Sequence, residues 1–308
     1  MTETFLLRET QTSGIPKSSG KDGLNLTAGA YRLRFAESLN DLEAAYRLRF
    51  LVFNLELGEG LETAYEHGHD TDEFDPVCDH LIVENCRTHQ VVGTYRLQTG
   101  ISAARHLGYY SAREFDFTPY ESLRNSIVEL GRASIHREHR SFQVLSLLWR
   151  GIAAYAKERQ ARYLIGCSSL TSQDPRVGSA VYDSLQHYLV DPKFRTTPLP
   201  DYDMPMLPTD PTNARVQPPK LLRAYLSIGA SICGRPALDR EFKTIDFLTS
   251  LDLESMSSCA RSRFLFGKCG PRRSISGQSF RASCLAVETG ADSIQPATRS
   301  NRSHSPDI

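Results

Sequence analysis

Three arginines stand in segments that are otherwise apolar. Arg49 lies in LRFLVF, Arg96 in VVGTYRL and Arg132 in VELGRASI. A guanidinium among Val, Leu and Ile needs a paired carboxylate, because an unpaired buried charge is very costly. Asp70, Asp72, Glu73 and Asp75 offer such partners in one short loop, directly after His67 and His69, and Glu129 offers another. Networks of this kind stabilise poorly and tend to belong to sites. The expectation is that Asp70, Asp72 and Asp75 either hold Arg49, Arg96 and Arg132 in place or meet a cationic substrate directly. The bland alternative is a solvated acidic turn. A calcium loop fits less well: counted from Asp70, the sixth and twelfth positions are Asp75 and Leu81, where that pattern needs Gly and Glu.

Glu129 lies between apolar neighbours, three residues before Arg132. It is a candidate general base. Acylation of an amine needs one, because only the free amine attacks a thioester carbonyl. Backbone N–H groups of a splayed strand would hold the oxyanion. Equally, Glu129 could simply neutralise Arg132. In HREHRSF, Arg137 and Arg140 precede a helix start, which suits an anion such as a phosphopantetheine phosphate; a basic surface turn reads the same way. Cys167, in LIGCSSL, has no base assigned to it and is expected to be structural, and Trp149 is expected in the core.

These residues need a scaffold. Tyr31, Leu33 and Phe35 alternate with arginines, as in a half-buried strand. Asn40 or Asp41 is the expected cap of a helix through Leu42, Ala45, Leu48 and Val52. HLIVENC and VVGTYRLQ predict two strands joined by a turn at Arg87 to Gln90, and SIVELGRASI a third. A helix with Val144, Leu148, Ile152 and Tyr155 on one face follows, then the strand RYLIGCSSL and a helix from Val177 to Leu189. Prolines crowd residues 191–219, reading as a linker or an irregular wrap. KLLRAYLSIGA predicts a helix, and another is expected near Leu253 to Phe264. The order βα–ββ–β–α–β–α describes one mixed α/β sheet domain.

Composition narrows the classes. With 308 residues the chain can bury one sizeable core. Its formal net charge is zero, which argues against a general nucleic-acid binder. No apolar run reaches the roughly 18 residues of a membrane span, and MTETFLLRET is unlike a secretory signal. Seven scattered cysteines, with no C-x-x-C pair, read as reduced thiols in a cytoplasmic compartment and not as a zinc site. Residues 1–28 read as a flexible leader and 269–308 as a Ser/Arg-rich disordered tail.

The spacing Arg49-x-x-x-Phe53, Asp70-x-Asp72-x-x-Asp75, Gly93-x-x-Arg96-Leu97 and Glu129-x-x-Arg132 resembles the acyl-homoserine lactone synthases of the GNAT-like superfamily. Two features depart from them: NLELGEG lacks the usual Trp, and the chain runs on well past the core. The segments FDPVCDHLIV, ELGRASIHREHRS and KLLRAYLSIGASICGRPALDREFKTIDFLTSLDL resemble the related, hemolysin-like ornithine-acyl carrier protein N-acyltransferases. That resemblance covers about residues 30–265. It implies a three-layer α/β/α sandwich around a mixed, splayed sheet, a 29–268 domain with a C-terminal helical extension, and no cofactor. The implied donor and partner is a 3-hydroxyacyl thioester of acyl carrier protein, and the implied acceptor is ornithine, a small amino acid. In this reading Glu129 and Arg132 are catalytic, Arg49, Asp70, Asp72, Asp75 and Arg96 form the substrate site, and Arg137 and Arg140 face the carrier. HREHRSFQV lacks the glycines of acetyl-CoA-binding loops, which speaks against that donor. A lipid product would permit peripheral contact with the inner membrane face, aided by the basic tail. The rival readings are a lactone synthase, an N-acyltransferase for glycine or another amino acid, and a catalytically silent carrier-binding module.

Overall fold

The computed structural model describes residues 23–209 and 217–266. Nine strands form one sheet. They are β1 (Leu26–Ala28), β2 (Tyr31–Phe35), β3 (Asp79–Asn85), β4 (Val91–Thr99), β5 (Ile127–Ile135), β6 (Tyr163–Leu170), β7 (Ser231–Ile232), β8 (Ala237–Asp239) and β9 (Thr244–Asp252). The order is β1-β2-β3-β4-β5-β6-β9-β7, with β8 also on β9. Only β5 and β6 run parallel, as a strand–helix–strand connection requires. The helices are α1 (Leu39–Phe50), α2 (Ala64–His67), α3 (Gly100–Arg105), α4 (Phe142–Glu158), α5 (Pro175–Ser184), α6 (Lys220–Ser227) and α7 (Ser258–Phe266).

Alternation sorts the layers. Leu33 and Phe35 of β2, with Leu81 and Val83 of β3, pack against Val144, Leu148 and Ile152 of α4. Ile82 points the other way, onto Ala45 of α1. The sheet is therefore sandwiched, with α4 on one face and α1 on the other. Each fully buried Leu or Ile in this seam contributes about 1.5–3 kcal/mol. Gly151 lets α4 come close: a Cβ there would lie 2.8 Å from Leu33 Cδ2. Trp149 is in the core, as expected.

Several boundaries differ from expectation. The α1 cap is Ser38, whose Oγ accepts from Asp41 N at 3.2 Å, while Asp41 Oδ2 accepts from Ser38 N at 3.2 Å. Asp41 is thus the third helical residue of a capping box, not the cap. The expected leader ends early, because Leu26–Ala28 pair with Tyr31–Leu33. Its remainder, residues 1–22, and the 269–308 tail lie outside the described residues. The described part of the proline-rich stretch up to residue 209 is a wrap and not a linker: it bridges Phe115 to Pro198, Thr196 to Gly234 and Asp203 to Ala237, and buries Met204. The helix expected to reach Leu189 ends at Ser184 and passes into a 3₁₀ turn, Gln186–Tyr188. The C-terminal extension is not chiefly helical. It supplies β7, β8 and β9, and β9 pairs with β6 from Tyr163↔Asp252 to Leu170↔Ile245. Among the described residues no helix is long and apolar enough to cross a membrane.

Candidate active site

The acidic loop follows α2, whose end is turned by Gly68 in the left-handed region (φ 67°). The loop then folds on itself: Asp72 Oδ1 accepts from Phe74 N at 2.9 Å, and Asp75 Oδ2 from Asp72 N at 2.9 Å. Its carboxylates face the three buried arginines. Arg49 Nε donates to Asp70 Oδ1 at 2.7 Å, and Arg49 Nη1 to Asp75 Oδ1 at 2.7 Å. Arg96 Nη1 bridges Asp72 Oδ1, 2.5 Å, and Asp75 Oδ1, 3.0 Å. Arg132 Nη2 donates to Asp72 Oδ2 at 2.8 Å. Burial works against the charge on Asp72, but Arg96 and Arg132 outweigh it and hold this carboxyl below its usual range. Asp75 is depressed in the same way by Arg49 and Arg96. Three carboxylates meet three guanidiniums, so the loop does not keep a spare negative charge for a cationic amine. Of the two expected roles, the structure has the first.

Aromatic rings frame the network. Tyr110 lies under both Arg96 and Arg132, 5.3 and 5.2 Å from ring centre to guanidinium carbon, and Phe242 covers Arg132 at 4.4 Å. Phe53 packs edge-on against Phe242. Tyr110 and Phe242 escaped the sequence reading because each lies in an irregular segment with no periodic pattern.

Glu129 is not the partner of Arg132. A bulge sets Arg132 and Ala133 opposite the single residue Tyr95, with Arg132 in the left-handed region (φ 51°), and the guanidinium turns to the acidic loop. Glu129 is 4% exposed and is held by three donors: Gln98 Nε2 at 2.6 Å, Tyr110 N at 2.9 Å and Ser111 N at 2.8 Å. Gln98 was legible only as the residue opposite Glu129 in the β4–β5 register.

Glu129 also marks where the sheet opens. β5 and β6 pair only from Ile127↔Tyr163 to Glu129↔Ile165 and then separate. At the apex a Cβ on Gly166 would sit 2.1 Å from the Leu130 carbonyl oxygen, so this approach admits only glycine. Past the apex the β5 edge has no strand partner on the β6 side. Gly131 faces open space there. An apolar crevice lined by Tyr95, Leu130, Trp149, Ile152 and Leu164 adjoins the opening.

The two carrier-facing candidates separate. Arg140 is committed to Glu56 through Nη1–Oε1 (2.5 Å) and Nη2–Oε2 (2.8 Å), and its Nε donates to Ile135 O. It does not present a free guanidinium to a phosphate. Arg137 is exposed on the turn before α4. The α4 N-terminus is capped by Ser141 Oγ, which accepts from Val144 N at 3.4 Å. Cys167 Sγ donates to Ser111 Oγ at 3.5 Å, and burial together with nearby Glu114 and Asp246 pushes its thiol well above the usual range. A protonated thiol is not a nucleophile.

The sequence has recognisable relatives. The profile of the acetyltransferase (GNAT) domain matches residues 48–150. The chain is similar to the L-ornithine N(alpha)-acyltransferase of Brucella abortus (strain 2308), 34% identical over 75% of this chain and 87% of that protein. It is also similar to the L-ornithine N(alpha)-acyltransferase of Agrobacterium fabrum (strain C58 / ATCC 33970), 31% identical over 77% of this chain and 85% of that protein. Among solved structures it is similar to the AHL synthase LasI, with 12% identity, a TM-score of 0.44, and coverage of 77% of this chain and 95% of that one. With a third of its residues identical over three quarters of its length, the chain belongs to the L-ornithine N(alpha)-acyltransferase family, acyltransferases built on a GNAT domain.

Proposed function

We propose that this acyltransferase moves a 3-hydroxyacyl group from an acyl carrier protein thioester to the α-amino group of L-ornithine, the first step of ornithine lipid synthesis. The observation that carries the geometry is the opening between β5 and β6, with Glu129 on the last paired rung and an apolar crevice beside it. The acyl chain enters that crevice. The thioester carbonyl meets amides of the β5 edge, which stabilise the oxyanion as the amine nitrogen attacks. Glu129, through a water, takes the proton that leaves the ammonium. The C–N bond forms, the C–S bond breaks, and the second proton shed by the attacking nitrogen goes to the leaving sulfur, so that the carrier departs as the thiol.

Arg132 is the arginine best suited to the substrate carboxylate, because its buried Nε makes no hydrogen bond and faces Asp70 Oδ1 only at 3.6 Å. Arg49, Asp70, Asp72, Asp75 and Arg96 hold it in position. Arg137 meets the acidic carrier. The reaction needs no cofactor beyond the thioester co-substrate. The enzyme works in the cytoplasm, where the carrier is, with peripheral contact at the inner membrane face.

The test is incubation of the purified protein with 3-hydroxyacyl carrier protein and a panel of amino acids, with products identified by mass spectrometry. N-acyl-ornithine is the expected product. Acylation of glycine or another amino acid alone would move the acceptor assignment, and a chain that bound the carrier but gave no product would be a silent module.

A further inference from the structure

On the far side of Tyr110 and Ser111 lies a second group of carboxylates with the opposite electrostatics. Glu114, directly after the short turn Ser111–Arg113, and Asp246, on β9, are 1% and 4% exposed. One ligand atom of each and the Cys167 sulfur all lie within 4.8 Å of one another. Asp239, also buried, stands behind them, its Oδ1 occupied by the N–H groups of Glu241 and Phe242. Among the described residues no ion pair reaches Glu114, Asp239 or Asp246, and the charges acting on Glu114 are those of Asp246 and Asp239. Burial and this repulsion push Glu114 well above the usual carboxyl range and Asp246 up to about 6. Glu114 Oε1, Asp246 Oδ1 and the fully buried Thr244 hydroxyl have no hydrogen-bond partner. Buried acids whose neighbouring charges are other acids oppose folding. A cation bound among them relieves that opposition.

The group is wired to the reaction centre. Ser111 N donates to Glu129 Oε1 at 2.8 Å, Cys167 Sγ donates to Ser111 Oγ at 3.5 Å, and Cys167 Sγ lies 3.8 Å from Glu114 Oε2. Ser111 and Cys167 thus link the Glu129 carboxylate to this group of acids. In ornithine five bonds of about 1.5 Å join the two nitrogens, an extended span of about 6 Å.

We propose that Glu114 and Asp246, with Cys167 and Thr244, receive the distal ammonium of a diamino-acid acceptor, and that this pocket selects ornithine over amino acids with apolar side chains. The inference rests on the reaction proposed above. An ammonium fits better than a metal ion. It brings three N–H donors for the oxygens that lack partners, whereas a metal would need Cys167 as a thiolate.

The experiment compares L-ornithine with L-norvaline, which lacks the distal amine, in the wild type and in Glu114→Gln and Asp246→Asn. Two readouts are taken: kcat/KM with 3-hydroxyacyl carrier protein, and the shift in melting temperature that each amino acid causes without donor. The wild type should prefer ornithine and be stabilised by it by a few degrees. Both variants should lose that shift, and their ornithine-to-norvaline ratio should fall on the order of 30-fold or more, as for removal of one partner of a buried charged pair. Without ligand the variants should melt no lower than the wild type, which separates lost binding from lost folding. Variants that keep the ratio and the ornithine shift would overturn the pocket and leave the reaction standing. Stabilisation of the wild type by zinc and not by ornithine would also overturn it. No acylated product from any amino acid, with an ornithine shift that Glu114→Gln abolishes, would overturn the reaction and keep the pocket.

Discussion

Arg132 reaches from β5 to Asp72, a residue sixty positions earlier in the chain, and closes a charge-balanced cage of three arginines and three aspartates at 2.8 Å. Members of this cage stand or fall together, because each carboxylate serves two guanidiniums or stands against two.

Asp75 is the most connected member, its carboxylate accepting from Arg49 Nη1 and Nη2, Arg96 Nη1 and Asp72 N. Asp75→Asn leaves buried positive charge unbalanced. A loss of about 3–5 kcal/mol of stability is expected, the usual consequence of removing one partner of a buried pair. Urea denaturation at pH 7 measures it, and a loss below about 1 kcal/mol would mean that water reaches the cage.

His80 makes stability fall with pH just below neutrality, while the raised carboxyls of Glu114 and Asp246 act in the opposite sense and cancel when the wild type is compared with a His80 variant. Its ring is buried, its Nε2 donates to the Asp75 carbonyl at 3.0 Å, and burial lowers its pKa from 6.5 to about 4. The unfolded chain takes up a proton as pH falls through 6.5, while the folded chain resists until about 4. The contribution of neutral His80 is therefore complete above pH 6.5 and is lost between 6.5 and 4. The depressed Asp72 and Asp75 lose theirs only at lower pH, so the windows do not overlap. Between pH 7 and 5 the wild type should lose about 2 kcal/mol more than His80→Asn. Parallel urea curves for both proteins at the two pH values decide the matter.

Glu129→Gln should lower kcat for ornithine by about 10²–10⁴-fold, the usual weight of a general base. A raised KM with unchanged kcat would show instead that Glu129 serves to position Tyr110 and Ser111.

Arg137 and Arg140, three residues apart, should behave differently. Arg137→Ala is expected to raise the KM for carrier protein several-fold with little change in kcat, an effect that fades as salt screens the charges. Arg140→Ala breaks a half-exposed pair with Glu56 and should cost at most about 1 kcal/mol of stability, measured by thermal melting. Equal KM effects from both would place the carrier across the whole turn.

The cage was legible in the sequence because physics demands partners for Arg49, Arg96 and Arg132, and one loop was rich enough to supply them. The central strands were legible by alternation. β9 was not, since it is buried on both faces and its alternation, Thr244 to Phe247, breaks at Leu248 after four residues. Glu114 and Asp246 were illegible for another reason: 132 positions separate them, and in a list of residues each reads as an ordinary surface acid. Only the register Ser169↔Asp246 brings the latter beside Cys167.

The late arrival of β9 bears on how the protein is made. Until residue 252 has left the ribosome, β6 has no neighbour on one side and pairs on the other over only three rungs. A nascent chain that carries the whole cage still presents an open strand edge, a template for wrong partners. Stop codons or frameshifts before β9 should therefore yield insoluble polypeptide and not a smaller working enzyme, even where every residue of the catalytic loop has been translated.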